Sequence, residues 1–165
     1  MGSTLRILGL DPALRVTGYG AIELRAGRLR LIEAGVLTPA AALPLERRLC
    51  ELHDALRVVI AATMPDVVVI EELYTTYRNP STAILMAHAR GVLCLACAQA
   101  GLPVETLAHS RVKRALVGSG AASKDQVARM VGRLLGLRAP VHPYDVSDAL
   151  GLALAYANLT EHAIA

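Results

Sequence analysis

The stretch Leu5-Arg6-Ile7-Leu8-Gly9-Leu10-Asp11 is mostly apolar, does not alternate strictly, and stops on an acid. Such a pattern predicts a short strand buried on both faces. The chain then leaves through Pro12–Gly20, where Gly18 and Gly20 suit a tight return into a second strand. Tyr19–Glu23 and Arg28–Leu37 read as further strands, joined by the hairpin-type turn Arg25-Ala26-Gly27. The period then changes. Leu45, Leu49, Leu52, Leu56, Val59 and Ile60 recur at helical spacing, with Pro44 in the first turn. Val67-Val68-Val69-Ile70 predicts a buried strand beside the first, and it too ends on acid, at Glu71-Glu72.

The second half alternates helix and strand signals. A polar loop, Tyr74–Asn79, precedes a long helix from Pro80-Ser81 to about Ala100, stopped by Gly101. Leu102–Leu107 is a short strand. Ser110 can cap a helix over Arg111–Val117, and Ser123 one over Lys124–Leu135 that ends at Gly136. A proline-bounded linker, Ala139–Pro143, leads into a last helix, Tyr144–Asn158. These elements define an α/β chain.

Composition narrows the picture. The 165 residues suit one domain with a real core, and 54% are hydrophobic although Phe and Trp are both absent. The core must be Leu, Val, Ile and Ala. No apolar run of membrane-spanning length and no charged-then-apolar leader is read from the sequence, so a cytoplasmic location is expected. Three cysteines do not make a disulfide scaffold; Cys94 and Cys97 sit in an alanine-rich helical run as small apolar fillers. Charge is segregated. Between Tyr74 and Arg138 lie nine Lys or Arg and two acids, a local +7, and the rest of the chain carries −4. That distribution suits a cation site beside a surface for a polyanion; solvated arginine faces are the plainer alternative.

The candidate chemistry is carboxylate chemistry. In an α/β sheet, ligands collect at the carboxyl ends of adjacent strands, and Asp11 and Glu71 end two of them. Asp145 and Asp148 share one face of the last helix at i, i+3. Capping alone could explain Asp145. Asp148 lies one turn deeper, beside Ala149 and Leu150, where an unpaired carboxylate has no structural purpose. Clustered acids repel and raise one another's pKa, a cost that a hard divalent cation removes.

Several blocks together carry a resemblance. Gly9-Leu10-Asp11-Pro12 with Val16-Thr17-Gly18-Tyr19-Gly20 resembles the opening of the RuvC family of Holliday junction resolvases. Ile70-Glu71-Glu72 and Ala89-Arg90-Gly91 are similar to its second block, Val112-Lys113 and Gly118–Val127 to its third, and Asp145-Val146-Ser147-Asp148-Ala149-Leu150 to its fourth. Ala13 stands where the family usually has glycine. The resemblance implies an RNase H-like fold, a mixed five-stranded sheet flanked by helices. It implies a homodimeric endonuclease that cuts four-way DNA junctions by paired nicks, with two Mg²⁺ ions per site (Mn²⁺ being possible), the motor proteins RuvA and RuvB as partners, and no membrane or nucleotide cofactor. Asp11, Glu71, Asp145 and Asp148 fall on its metal-binding acids. Lys113 and Lys124 fall on lysines near the scissile phosphate; both are read here as standing by helix starts, where backbone N–H groups favour anions. Tyr74 falls on an aromatic that stacks on bases, with Tyr77 and Arg78 in the same loop.

Other assignments stay open. His142, three residues before Asp145, is either a surface linker residue or a proton donor near the site. Arg90 is structural or a distant phosphate contact. A junction binder without cleavage and an actin-like nucleotide-binding fold are the rival functions; the second usually needs two domains, for which the chain is short.

Overall fold

The structure is a computed structural model that describes residues 4–73 and 79–164. Five strands and five helices follow in the order β1 (Thr4–Asp11), β2 (Thr17–Arg25), β3 (Arg28–Leu37), α1 (Leu45–Thr63), β4 (Val67–Glu71), α2 (Pro80–Gln99), β5 (Val104–Leu107), α3 (His109–Val117), α4 (Lys124–Leu134) and α5 (Tyr144–Ile164). The sheet order is β3-β2-β1-β4-β5. β1, β2 and β3 form an antiparallel meander, while β4 and β5 add in parallel to β1. The expected mixed five-stranded sheet is therefore observed.

Each face of the sheet has its own core. Ile7 of β1, Ile22 and Leu24 of β2, and Val67 and Val69 of β4 pack beneath α3, α4 and α5. Leu8 and Leu10 of β1, Tyr19 and Ala21 of β2, and Val68 and Ile70 of β4 pack beneath α1 and α2. Both faces of β1 and β4 are covered, which is why their apolar runs do not alternate with polar residues. Side chains two apart along a strand share a face. Asp11 and Glu71 thus lie on the α5 side, in line with Ile7 and with Val67 and Val69.

Two glycines explain how close α5 comes. A Cβ on Gly9 would lie 1.9 Å from the Ala149 carbonyl oxygen, and one on Gly18 1.9 Å from that of Asp145. Gly20, paired with Gly9 across the ladder, faces the Leu150 side chain in the same way. The sequence expectation is corrected here: Gly18 and Gly20 lie inside β2, and their missing side chains serve helix packing, not a turn. The return from β1 to β2 runs through residues 12–16 instead. The separate hairpin turn expected between β2 and β3 is observed at Ala26-Gly27, both at positive φ (50° and 71°), matching the right-handed twist of the strands it joins.

Other boundaries move for local reasons. Pro44 occupies the N-cap of α1, one residue outside the helix. Helix α3 begins at His109 with Ala108 at its N-cap, so Ser110 lies inside it and caps nothing. Ser123 does cap α4, in a reciprocal box with Gln126. Helix α5 continues past Asn158 to Ile164. Helix α2 is long and apolar enough to cross a membrane by length and composition, with a mean hydropathy of 1.5, where none was expected. It lies instead against the sheet: Ala89, Leu93, Ala96 and Cys97 are buried in the α1–α2 core. Burial raises the Cys97 thiol pKa to about 12, so it stays protonated as an inert filler.

Gly9→Ala should destabilise the fold by roughly 2 kcal/mol or more, because backbone must move on both sides of the contact. Gly91→Ala, at an α2 position with nothing within 4 Å, should be neutral or stabilising by up to about 1 kcal/mol. Urea denaturation of the two variants checks the contrast; equal midpoints would mean that α5 does not rest on the Gly9 backbone.

Candidate functional site

The parallel ladder pairs Leu10 with Ile70, so the next residues, Asp11 and Glu71, leave adjacent strands at the same end. Glu71 is near enough to bear directly on the Asp11 carboxyl. Gly18 is the ladder partner of Asp11, and the Asp145 backbone rests on it. Helix α5 is thereby held with its first turn beside Asp11, and Asp148 follows on the same face. Beyond β1 the loop is closed by Thr17, fully buried, whose hydroxyl donates to the Ala13 carbonyl at 2.6 Å and accepts from the Ala13 N–H at 3.2 Å. The Ala13 turn is well satisfied without a glycine.

Electrostatics mark Asp11. Its pKa is raised from 3.8 to about 8, first by burial, then by the neighbouring charges of Glu71 and Asp148, the hydrogen bond with Glu71 and the charge of Asp145. The other three predicted acids therefore all act on Asp11. Two of them have cationic or donor partners. Lys124 Nζ stands 3.2 Å from Asp148 Oδ2. Burial opposes its charge, but Asp148, Asp11 and Asp145 together hold the ammonium pKa above its ordinary value. His109 Nδ1 stands 2.9 Å from Glu71 Oε1. Among the described residues no three His, Cys, Asp or Glu side chains stand close enough together to hold a metal ion as placed. The donor chemistry, oxygen ligands only around a carboxyl that resists ionisation, fits a hard divalent cation.

The remaining predicted residues divide clearly. Lys124 is in the cluster, at the first position of α4. Lys113 sits in the second turn of α3, not at its start, and lines a small recess with Glu71, His109 and Asp148. The recess, about 10 Å³, has room for a single water. Arg90 is structural: its Nε donates to the Glu71 carbonyl at 3.1 Å and its Nη2 to the Thr106 hydroxyl at 3.2 Å, tying α2 to the ends of β4 and β5. His142 is exposed and meets the Tyr144 ring, with centroids 5.1 Å apart. Tyr74, Tyr77 and Arg78 lie outside the described residues. His109 was missed by sequence reasoning. Its one signal is position, immediately past β5 at the same sheet end as Asp11 and Glu71.

The fold has close counterparts among known proteins. A Thermus thermophilus RuvC structure in complex with Holliday junction substrate superposes with a TM-score of 0.89 at 31% identity over 96% of each chain. The Rhodopirellula baltica crossover junction endodeoxyribonuclease RuvC is 44% identical over 93% of this chain and 86% of its own length. The corresponding protein of Myxococcus xanthus is 45% identical over 93% of this chain and 81% of its own. A yeast mitochondrial Holliday junction resolvase, 14% identical with a TM-score of 0.66, shares the fold. The fold and these relatives together define an RNase H-like nuclease. The family profile described as crossover junction endodeoxyribonuclease RuvC matches residues 7–156, and the chain belongs to that family.

Without metal, folded Asp11 keeps its proton up to about pH 8, whereas the unfolded chain loses it near 3.8. The folded state binds the extra proton between those values, so stability falls as pH rises through that window. Thermal melts in chelator from pH 5 to 8.5 should show wild type losing roughly 5 °C or more relative to Asp11→Asn. Parallel pH profiles for the two proteins would remove Asp11 as the strained group.

Proposed function

We propose that residues 1–165 form one nuclease domain that resolves four-way DNA junctions in recombination and repair. The carrying observation is Asp11, partly buried and set among Glu71, Asp145 and Asp148 at one end of the sheet. In this reading the four acids hold two divalent ions, Mg²⁺ or Mn²⁺. When bound, such ions polarise a phosphodiester and supply an activated water that leaves 5′-phosphate and 3′-hydroxyl ends.

The chain's own residues prepare that event. Asp11 and Glu71 are fixed by paired strands, and Arg90 holds the Glu71 backbone, so these two carboxylates cannot drift. Asp145 and Asp148 are rigid for a different reason, the contact of α5 with glycine backbone. Lys124 sits on Asp148 at the N-terminus of α4, where an arriving phosphate would find both its ammonium and free helix N–H groups. Lys113 lines the neighbouring recess and supplies a second cation. Tyr74 stacks on an unpaired base and Arg78 contacts the DNA beside it, on the family resemblance alone.

The same reading includes a homodimer. Helix α2 leaves Ile84, Leu85 and Leu95 between 41% and 58% exposed, an apolar face suited to a second copy. A two-fold enzyme matches a nearly two-fold junction and yields paired symmetric nicks. RuvA and RuvB as motor partners, a cytoplasmic location, and the absence of membrane attachment and of any nucleotide cofactor complete the proposal.

On a synthetic four-way junction, Asp11→Asn should cleave at least about a thousandfold more slowly while binding within a few-fold of wild type. Single-turnover cleavage and gel-shift binding measure the two quantities. A variant that cuts at the wild-type rate would take Asp11 out of the site. Wild type should be silent in chelator and recover with Mg²⁺ or Mn²⁺; activity independent of divalent ions would overturn the metal assignment.

A further inference from the structure

Away from the acids, the molecule carries one strongly basic recess. Arg129, Arg133 and Arg138 line it together with Gly132, Leu137 and Pro140, around a volume of about 220 Å³. All three arginines are exposed. Arg129 pairs with Asp125 one turn earlier, at 3.3 Å. Among the described residues, Arg133 and Arg138 make no ion pair or side-chain hydrogen bond.

The recess is built, not incidental. Helix α4 ends with the Leu137 N–H donating to the Gly132 carbonyl at 2.8 Å, and Gly136 takes positive φ (65°). This turn folds the chain back along the helix. A Cβ on Gly132 would lie 2.9 Å from the Ala139 carbonyl oxygen, so the close return depends on glycine there. The result places Arg138, distant along the helix axis, next to Arg129 and Arg133.

The recess is also continuous with the candidate site. Residues 125, 129 and 133 form one i, i+4 stripe along α4. Its first member, Asp125, accepts a hydrogen bond from the Tyr144 hydroxyl at 2.9 Å, and Tyr144 precedes Asp145. Lys124 Nζ lies 5.9 Å over the same Tyr144 ring. From Lys124 to Arg133 is nine residues, about 14 Å of helix axis. One DNA strand advances about 3.4 Å per phosphate along its axis, so that span covers roughly four phosphates.

We infer that the Arg129–Arg133–Arg138 recess is a second phosphate-binding site, which grips the sugar-phosphate backbone of a junction arm several nucleotides from the bond that is cut. The inference rests on the nuclease reading above and adds an arm-holding surface to it. Guanidinium forks match phosphate oxygens in a bidentate way, and such contacts position a duplex without reading its sequence.

The test is equilibrium binding of labelled four-way junctions by fluorescence anisotropy across a salt series. For long arms, Arg133→Ala/Arg138→Ala should bind roughly tenfold more weakly at moderate salt, and the slope of log K against log salt should shrink by about 2, one for each phosphate no longer neutralised. For arms trimmed to a few base pairs, wild type and variant should bind alike. Cleavage at saturating protein should stay at the wild-type rate, since neither arginine reaches the acids. Unchanged affinity and slope on long arms would overturn the recess as a DNA site, and so would an equal loss on trimmed arms. In either case, wild type that still binds and cuts the junction leaves the nuclease reading standing; wild type that neither prefers nor cuts junctions would bring down that reading and the recess with it.

Discussion

Everything about the site follows from one contact, helix backbone against strand backbone where α5 crosses β1 and β2. Side chains normally keep packed layers roughly 10 Å apart. Here Gly9 and Gly18 have none, and the carbonyl oxygens of Ala149 and Asp145 occupy the space a Cβ would take. Two acids on a helix are thereby carried to two acids at strand ends. Had either glycine been alanine, the helix would stand off and Asp145 would leave the neighbourhood of Asp11.

That closeness has an electrostatic cost, and the structure distributes it unevenly. Asp11 bears most, being partly buried and acted on by the other three acids, and it holds its proton well above the ordinary range. Asp148 and Glu71 are relieved by Lys124 and His109. An acid cluster in which only some members have partners is stable enough to fold but still short of positive charge. Such a cluster is suited to receiving cations and an approaching phosphate, and unsuited to a purely structural role.

The sequence revealed the strands, the helices and the four acids, because each leaves a local mark: a branched apolar run, a 3.6-residue period, a carboxylate where the apolar run stops. It misled at Gly18 and Gly20, which look like turn residues. Their role depends on a helix more than a hundred residues away, and nothing local encodes that. His109 and the Gly132 return were invisible for the same reason, since each acts on a partner brought near only by the fold. Arg90 was recognisable as a residue of interest, yet its anchoring of the Glu71 carbonyl required the α2–β4 geometry.

The double-faced burial of β1 carries a further implication for how the chain folds. Ile7, Gly9 and Asp11 point to one layer, Leu8 and Leu10 to the other. A slip of one residue in pairing would exchange the two sets. Asp11 would then leave Lys124 and the other acids for the mainly apolar compartment of α1 and α2, and a leucine would be driven into the Ala149 carbonyl. The misregistered chain fails on both sides of the sheet at once, so the same carboxylate that equips the finished enzyme also proofreads its assembly.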